Sequence, residues 1–281
     1  MSTWRKLWRN PAARAGLLIL GLIVFAAVAA PLFVPQGPFH ADPAARLLPP
    51  FSTSAGSGSI HVLGTDSIGR DILSRLLYGG RLSLTVGFLA VLLSAVFGTL
   101  LGSLSGYFGG WVDAASGWLI DVQLSFPFLL LAIFLLGALG GGTAPVVLIL
   151  ALGTWVNYAR IVRAQVLSIR TLGYVEAARI SGAGASRILV RHVLPNTLSP
   201  ICVVASFSMA QAILTEAALS FLGVGLDPST PSWGTMLNDG RDYLLNAWWI
   251  GAMPGIAIAI TVLGVTLLGE GLRDVLARKG G

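Results

Sequence analysis

The chain has 281 residues, 55% of them hydrophobic and 11% charged, with a mean hydropathy of +0.81, which excludes an ordinary water-soluble core and points to a bilayer. Its 18 Lys and Arg give a net charge of +6, but they stand in blocks beside apolar runs, a pattern of membrane orientation, so no nucleic-acid partner is expected. The lone cysteine, Cys202, lies in an apolar run; it excludes an intrachain disulfide and a thiolate metal cluster, and it is expected to be buried.

Residues 1–16 form a basic start, expected in the cytoplasm. The uncharged run 17–34 follows, and "AVA" before Pro31 would suit signal cleavage. Because the run is longer than the ~7–15 residues of a signal core, it reads as a retained membrane anchor. Residues 35–81, opening on Pro, Gly and Ser turns and closing on an amphipathic stretch, read as an extracytoplasmic segment. The remainder, 82–281, reads as a core with five more spans: Leu82–Tyr107, Trp118–Leu139, Pro145–Val166, Leu198–Leu222 and Ala247–Leu268. Each approaches the ~20 apolar residues that carry a helix across hydrocarbon, where a helix satisfies its own backbone. The predicted fold is therefore all-α, a polytopic membrane protein with six transmembrane helices. In the second span Ser94, Gly98, Gly102 and Gly106 recur every fourth residue and mark a face for close helix packing.

A cytoplasmic N-terminus puts thirteen basic residues inside and five outside, and both termini in the cytoplasm. Arg70, Arg75 and Arg81, on the outer side, strain that assignment. The same count places the loop 167–197 in the cytoplasm. There Tyr174–Ser181 reads as a short helix in which Glu176 and Arg179 can pair. Gly182-Ala183-Gly184 breaks it, Ser186 is expected to cap a second helix, and Pro195 to stop that one. Ala177 and Ala178 keep the first helix thin and Glu176 offers an anchor, which suits insertion into a partner's groove. The same residues, with Arg187 and Arg191, equally suit an amphipathic loop on lipid headgroups.

No glycine-rich turn ends in Gly-Lys, since Lys6 and Lys279 both follow Arg, so the chain has no phosphate-binding loop of its own. His40, His61 and His192 lack ligand spacing, and no nucleophile elbow or zinc helix occurs. No catalytic, cofactor-binding or metal-binding residue is predicted. Any energy source is another polypeptide.

The stretch "EAARISGAGASRILVRHVLP" from Glu176 resembles the EAA loop of ATP-binding cassette importer permeases, with His192 in a position usually held by Ile. "HVLGTDSIGRDILSRLLYGGRLSL" from His61, "EAALSFLGVG" from Glu216, "PSWGTMLNDGRDYL" from Pro231 and "LLGEGLRDVL" from Leu267 resemble its dipeptide, oligopeptide and nickel branch. The likeness is to the second of that branch's two permease subunits. It implies an inner-membrane protein that forms half of a heterodimeric pore with a homologous permease, two separate ATPase subunits, and an extracytoplasmic solute-binding protein. It also implies ATPase coupling through Glu176, Ala177, Ala178, Gly182, Arg187, His192, Leu194 and Pro195. The implied solute is a peptide, with nickel as the alternative. A self-sufficient channel or secondary transporter would instead run ionisable groups along a path. Candidates at membrane level are Asp121, Gln123, Asn157, Gln211, Glu216 and Glu270, the last able to pair with Arg273. Glu216 is either a hydrogen-bonded structural carboxyl or part of an outer gate, with the turn at Trp233 and Gly234 on the outer rim and Trp248 and Trp249 anchoring at the interface.

Overall fold

The computed structural model describes residues 7–54 and 58–277; Arg5, Lys6, Arg278 and Lys279, assigned above to cytoplasmic ends, lie outside them. Helix α1 is Pro11–Val28, opened by Asn10, whose side chain accepts from the Ala12 and Ala13 N–H groups, with Pro11 where a missing N–H costs nothing. A short turn, α2 (Ala30–Phe33), follows it. Then come a two-stranded ribbon, β1 (Ser52–Thr53) against β2 (Ile60–His61), antiparallel with Ser52 opposite His61. Helix α3, Ile72–Phe108, starts ten residues before the expected span, capped by Asp71 on the Ser74 N–H. At 1.5 Å per residue it is about 55 Å long, against roughly 30 Å of hydrocarbon, so part of it extends beyond the hydrocarbon and need not be apolar.

The third crossing is not one helix. Helix α4 (Gly110–Leu124) and α5 (Phe128–Leu139) meet at 86°. Pro127 sits at the break and disfavours helical geometry in Phe126 before it, which an apolar count alone does not register. Helix α6 is Thr143–Ile169. Next come α7 (Gly173–Ile180), α8 (Ala185–Ile188), a π turn (Leu189–Val193) and α9 (Leu194–Phe221). Helix α10 is Trp233–Gly240 and α11 is Trp249–Ala277. Among the described residues five helices are long and apolar enough to cross a membrane, six crossings when α4 and α5 count as one.

The small-residue stripe of α3 packs on α6. A Cβ at Gly98 would collide with the Trp155 carbonyl and Tyr158, at Gly102 with Ala159, and at Gly106 with Arg163 and Val166. Ser94 completes the seam through Thr154 Oγ1 at 2.6 Å and the Ala151 carbonyl at 2.9 Å. Helix α1 crosses α11 as closely, with Gly16 against Gly264 and Leu268 and Gly271 against Ala13. Three details differ from expectation. Pro195 does not stop a helix: it lies in the first turn of α9, directly after the π turn, where its ring and missing N–H are accommodated. Ser186 is not a cap, because the extended Gly184 occupies that position. Cys202 is exposed on the outside of α9, not buried.

Candidate functional site

Beyond the end of α6, α7 forms a hook packed against the bundle. Val175 is fully buried and packs with Val162, Val166 and Ile169 of α6 and with Ile188, Leu189 and Val193. The hook ends because Gly182 takes φ +81°, which lets its N–H reach the Arg179 carbonyl and the Ala183 N–H reach Ala178, at 3.0 Å each. Glu176 and Ala177 project into solvent, Ala178 is half-buried, and Ile180 is 86% exposed. Glu176 sits in the first turn, where the helix dipole favours an acid. It does not pair with Arg179; that guanidinium lies over the Tyr107 ring, 5.8 Å from its centroid. Gly182, Arg187 and Pro195 are exposed, His192 and Leu194 half-buried. Asn196 joins the hook to α9, its amide donating to the His192 carbonyl at 2.6 Å and to Tyr174 Oη at 3.4 Å, while the Tyr174 and His192 rings lie 6.1 Å apart.

Glu216 is at the opposite end and faces the interior, 1% exposed. Its carboxylate accepts from Ser220 Oγ at 2.9 Å and from Ser232 and Ser83 Oγ at 3.2 Å each. Ser83 Oγ also accepts from the Trp233 N–H at 3.2 Å, so the acid joins α3, α9 and the start of α10. Ser232 caps α10 reciprocally with Thr235. Trp233 is buried against Gly80, and its indole N–H donates to the Leu76 carbonyl at 3.0 Å. Gly234 lies so close to Ala217 and Ser220 that a Cβ would overlap them. These three residues form a buried clamp at that end of the bundle. In the loop before it, Asp227 accepts from the Ser229 hydroxyl at 2.7 Å and its N–H at 2.8 Å, and those donors lower the carboxyl below the ordinary range.

A second clamp went unread in the sequence. Arg75, 1% exposed, donates to Asp66 at 2.8 Å and to Asp239 at 2.8 Å; Arg70 donates to the same two acids at 2.6 and 3.3 Å. Of the arginines that strained the charge count, Arg70 and Arg75 therefore tie the segment before α3 to α10, while Arg81 donates to the Ala27 and Val28 carbonyls at 2.5 and 2.6 Å. Trp249 is likewise interior, its indole donating to the Thr65 carbonyl at 3.1 Å, and only Trp248 remains exposed. Glu270 and Arg273 are exposed and make no ion pair among the described residues. Nor does any group of three His, Cys, Asp or Glu side chains among them form a metal cluster. Of the membrane-level polar residues, Asp121, Asn157 and Gln211 are exposed on the surface of the bundle.

Residues 98–279 match the family model described as "Binding-protein-dependent transport system inner membrane component", and residues 2–50 match "N-terminal TM domain of oligopeptide transport permease C". The chain is 42% identical over 276 residues to the di/tripeptide transport system permease protein DppC of Pseudomonas aeruginosa, covering 98% of this chain and 91% of that one. It is 44% identical to the dipeptide transport system permease protein DppC of Escherichia coli, covering 98% and 92%. A solved inward-facing structure of the MetNI methionine ABC transporter is similar in fold, with a TM-score of 0.57 and 22% identity over 72% of this chain and 95% of that one.

Proposed function

The chain belongs to the binding-protein-dependent transport system inner membrane components, as a multi-pass permease subunit of an ATP-binding cassette importer whose ATPase is separate, and from that premise we propose how its two ends divide the work. The inner hook seats one ATPase subunit, with Glu176, Ala177, Ala178, Gly182, Arg187, His192, Leu194 and Pro195 as the coupling surface. Both termini face the cytoplasm. The chain pairs with a homologous permease, a second ATPase serves that partner, and a solute-binding protein delivers a peptide to the outer face. Similarity along nearly the whole chain to di- and tripeptide permeases supports peptide over nickel.

The observation that carries the coupling reading is the hook's construction: one buried valine below, an exposed acid and an 86% exposed isoleucine above. Burying such an isoleucine in a partner groove contributes about 1.5–3 kcal/mol, and the Gly182 turn fixes its direction. Nucleotide-driven movement of the ATPases then pulls on a rigid lever whose far side packs directly on α6. The outer clamp of Glu216, Trp233 and Gly234 acts as one block, so the rim moves without its members separating. Coexpression with the ATPases tests this. Ile180→Asp is expected to lose the ATPase on copurification while the permease stays in the membrane; full retention of ATPase and coupled uptake refutes the assignment.

A further inference from the structure

Polar groups at hydrocarbon depth gather on one uncovered face. Along α6 the exposed residues Asn157, Arg160, Ala164 and Ser168 recur at helical spacing. This helix of 27 residues is about 40 Å long, some 10 Å more than the hydrocarbon needs. Arg160 stands nine residues, about 14 Å, from the inner end at Ile169, so even with all the surplus on the inner side it lies within the hydrocarbon zone. A guanidinium about 4 Å inside that boundary reaches headgroups by snorkelling or meets water or protein beside it, and Asn157, nearly one turn deeper on the same face, favours the second.

A cleft of about 520 Å³ opens beside it between α3, α4 and α6, with Asp113, Asp121, Arg160 and Arg163 in its wall. Two of these are satisfied. Asp113 holds Arg163 in a two-point pair at 2.5 and 2.6 Å and accepts from Ser105 as well. The Asp121 carboxylate and the Arg160 guanidinium have no partner among the described residues, in each other or elsewhere. A neighbouring cleft of about 320 Å³ between α6 and α9 shares Arg160 and adds Asn157 and Gln211. One unpaired acid and one unpaired base on the same wall complement a ligand that carries both charges.

We propose that this cleft is a transient binding site for the two charged ends of a small peptide, Arg160 receiving the carboxylate and Asp121 the ammonium group. The assignment rests on the peptide reading above. A guanidinium presents two parallel donors to a carboxylate, a geometry that an uncharged polar wall does not offer. The volume falls in the roughly 300–1,000 Å³ range of small-molecule sites. Gly117, with nothing within 4 Å of a Cβ placed on it, supplies the room. Both charged groups are exposed, so water weakens the contact, which suits a site that the solute must also leave.

The test uses the assembled transporter without its binding protein. Nothing lies within 4 Å of a Cβ placed on Gly117, so Gly117→Cys in a Cys202→Ala background puts a thiol in the cleft. Maleimide labelling of that thiol is expected to slow in dialanine but not in N-acetyl-dialanine amide. Arg160→Gln should raise the half-protecting dialanine concentration roughly tenfold, the loss of about 1.4 kcal/mol, and Arg160→Lys should recover part of it. A thiol that never labels, equal protection by the blocked peptide, or protection unchanged by Arg160→Gln overturns the proposal. Release of the partner permease by Arg160→Gln overturns it too, by assigning the residue to a subunit seam. Uptake of dialanine by the complete wild-type transporter separates the two readings: uptake without protection removes this site alone, and no dialanine uptake removes the peptide reading with it.

Discussion

The two glutamates of the repeated Glu-Ala-Ala triplet should respond oppositely to truncation. Glu216→Ala removes the common acceptor of three hydroxyls, from Ser83, Ser220 and Ser232, in a site 1% exposed. At about 0.5–1.5 kcal/mol for each net hydrogen bond the loss is about 1.5–4.5 kcal/mol, before any cavity cost. Glu216→Gln keeps an acceptor for part of the set and should lose less. Glu176→Ala removes an exposed side chain with no ion pair among the described residues, so the bundle should change by about 0.5 kcal/mol or less. The assay is fluorescence-monitored thermal unfolding of the purified permease complex, followed by ATPase copurification for each variant. The expected order of unfolding temperature is wild type and Glu176→Ala together, then Glu216→Gln, then Glu216→Ala, with weakened ATPase retention for Glu176→Ala. Equal unfolding temperatures for Glu216→Ala and wild type would refute the clamp, and a Glu176→Ala variant that unfolds early but still holds the ATPase would refute the hook.

Gly182→Pro, which cannot reach φ +81°, should uncouple ATP hydrolysis from uptake, whereas Gly182→Asn, which tolerates that region better, should retain most coupling; a proteoliposome assay of both rates checks this. Gly102→Leu drives a side chain into the Ala159 backbone and should cost about 1–3 kcal/mol by the same unfolding assay, while Gly117→Ala, on the open face of α4, should cost far less. Topology is checked on the Cys202→Ala background: Leu245→Cys, at a position 98% exposed, should react with an impermeant maleimide in intact spheroplasts, and Ser186→Cys only after the membrane is opened. Arg75→Met leaves Asp66 and Asp239 to Arg70 alone and should cost about 3 kcal/mol or more, seen as earlier unfolding than for Asp239→Asn, because Asp239 is 30% exposed.

The elements most legible in the sequence are those set by local chemistry. A run of apolar residues long enough for hydrocarbon fixes a crossing wherever it occurs, and Gly182 fixes a turn because an L side chain resists its backbone angle. The bend at Pro127 was readable in principle, since Phe126-Pro127 carries the signal, but an apolar count passes over it. Helix ends beyond the hydrocarbon were not readable in the same way. The first turns of α3 are amphipathic rather than uniformly apolar, and they are helical because Asp71 caps them and they pack on protein.

Sequence by itself therefore determined the apolar runs long enough to cross, the helix, bend and helix around Gly182, and the small-residue face of α3, all consequences of residue type at short spacing. Only the tertiary structure decided which helix fills that face, that Arg75 is interior, and that Asp121 and Arg160 share a wall. Ser83 meets Glu216 across 133 positions and Arg75 meets Asp239 across 164. Such pairs are selected by the packing of whole helices, and a buried charge reads the same as an exposed one in the sequence until its partner is placed beside it.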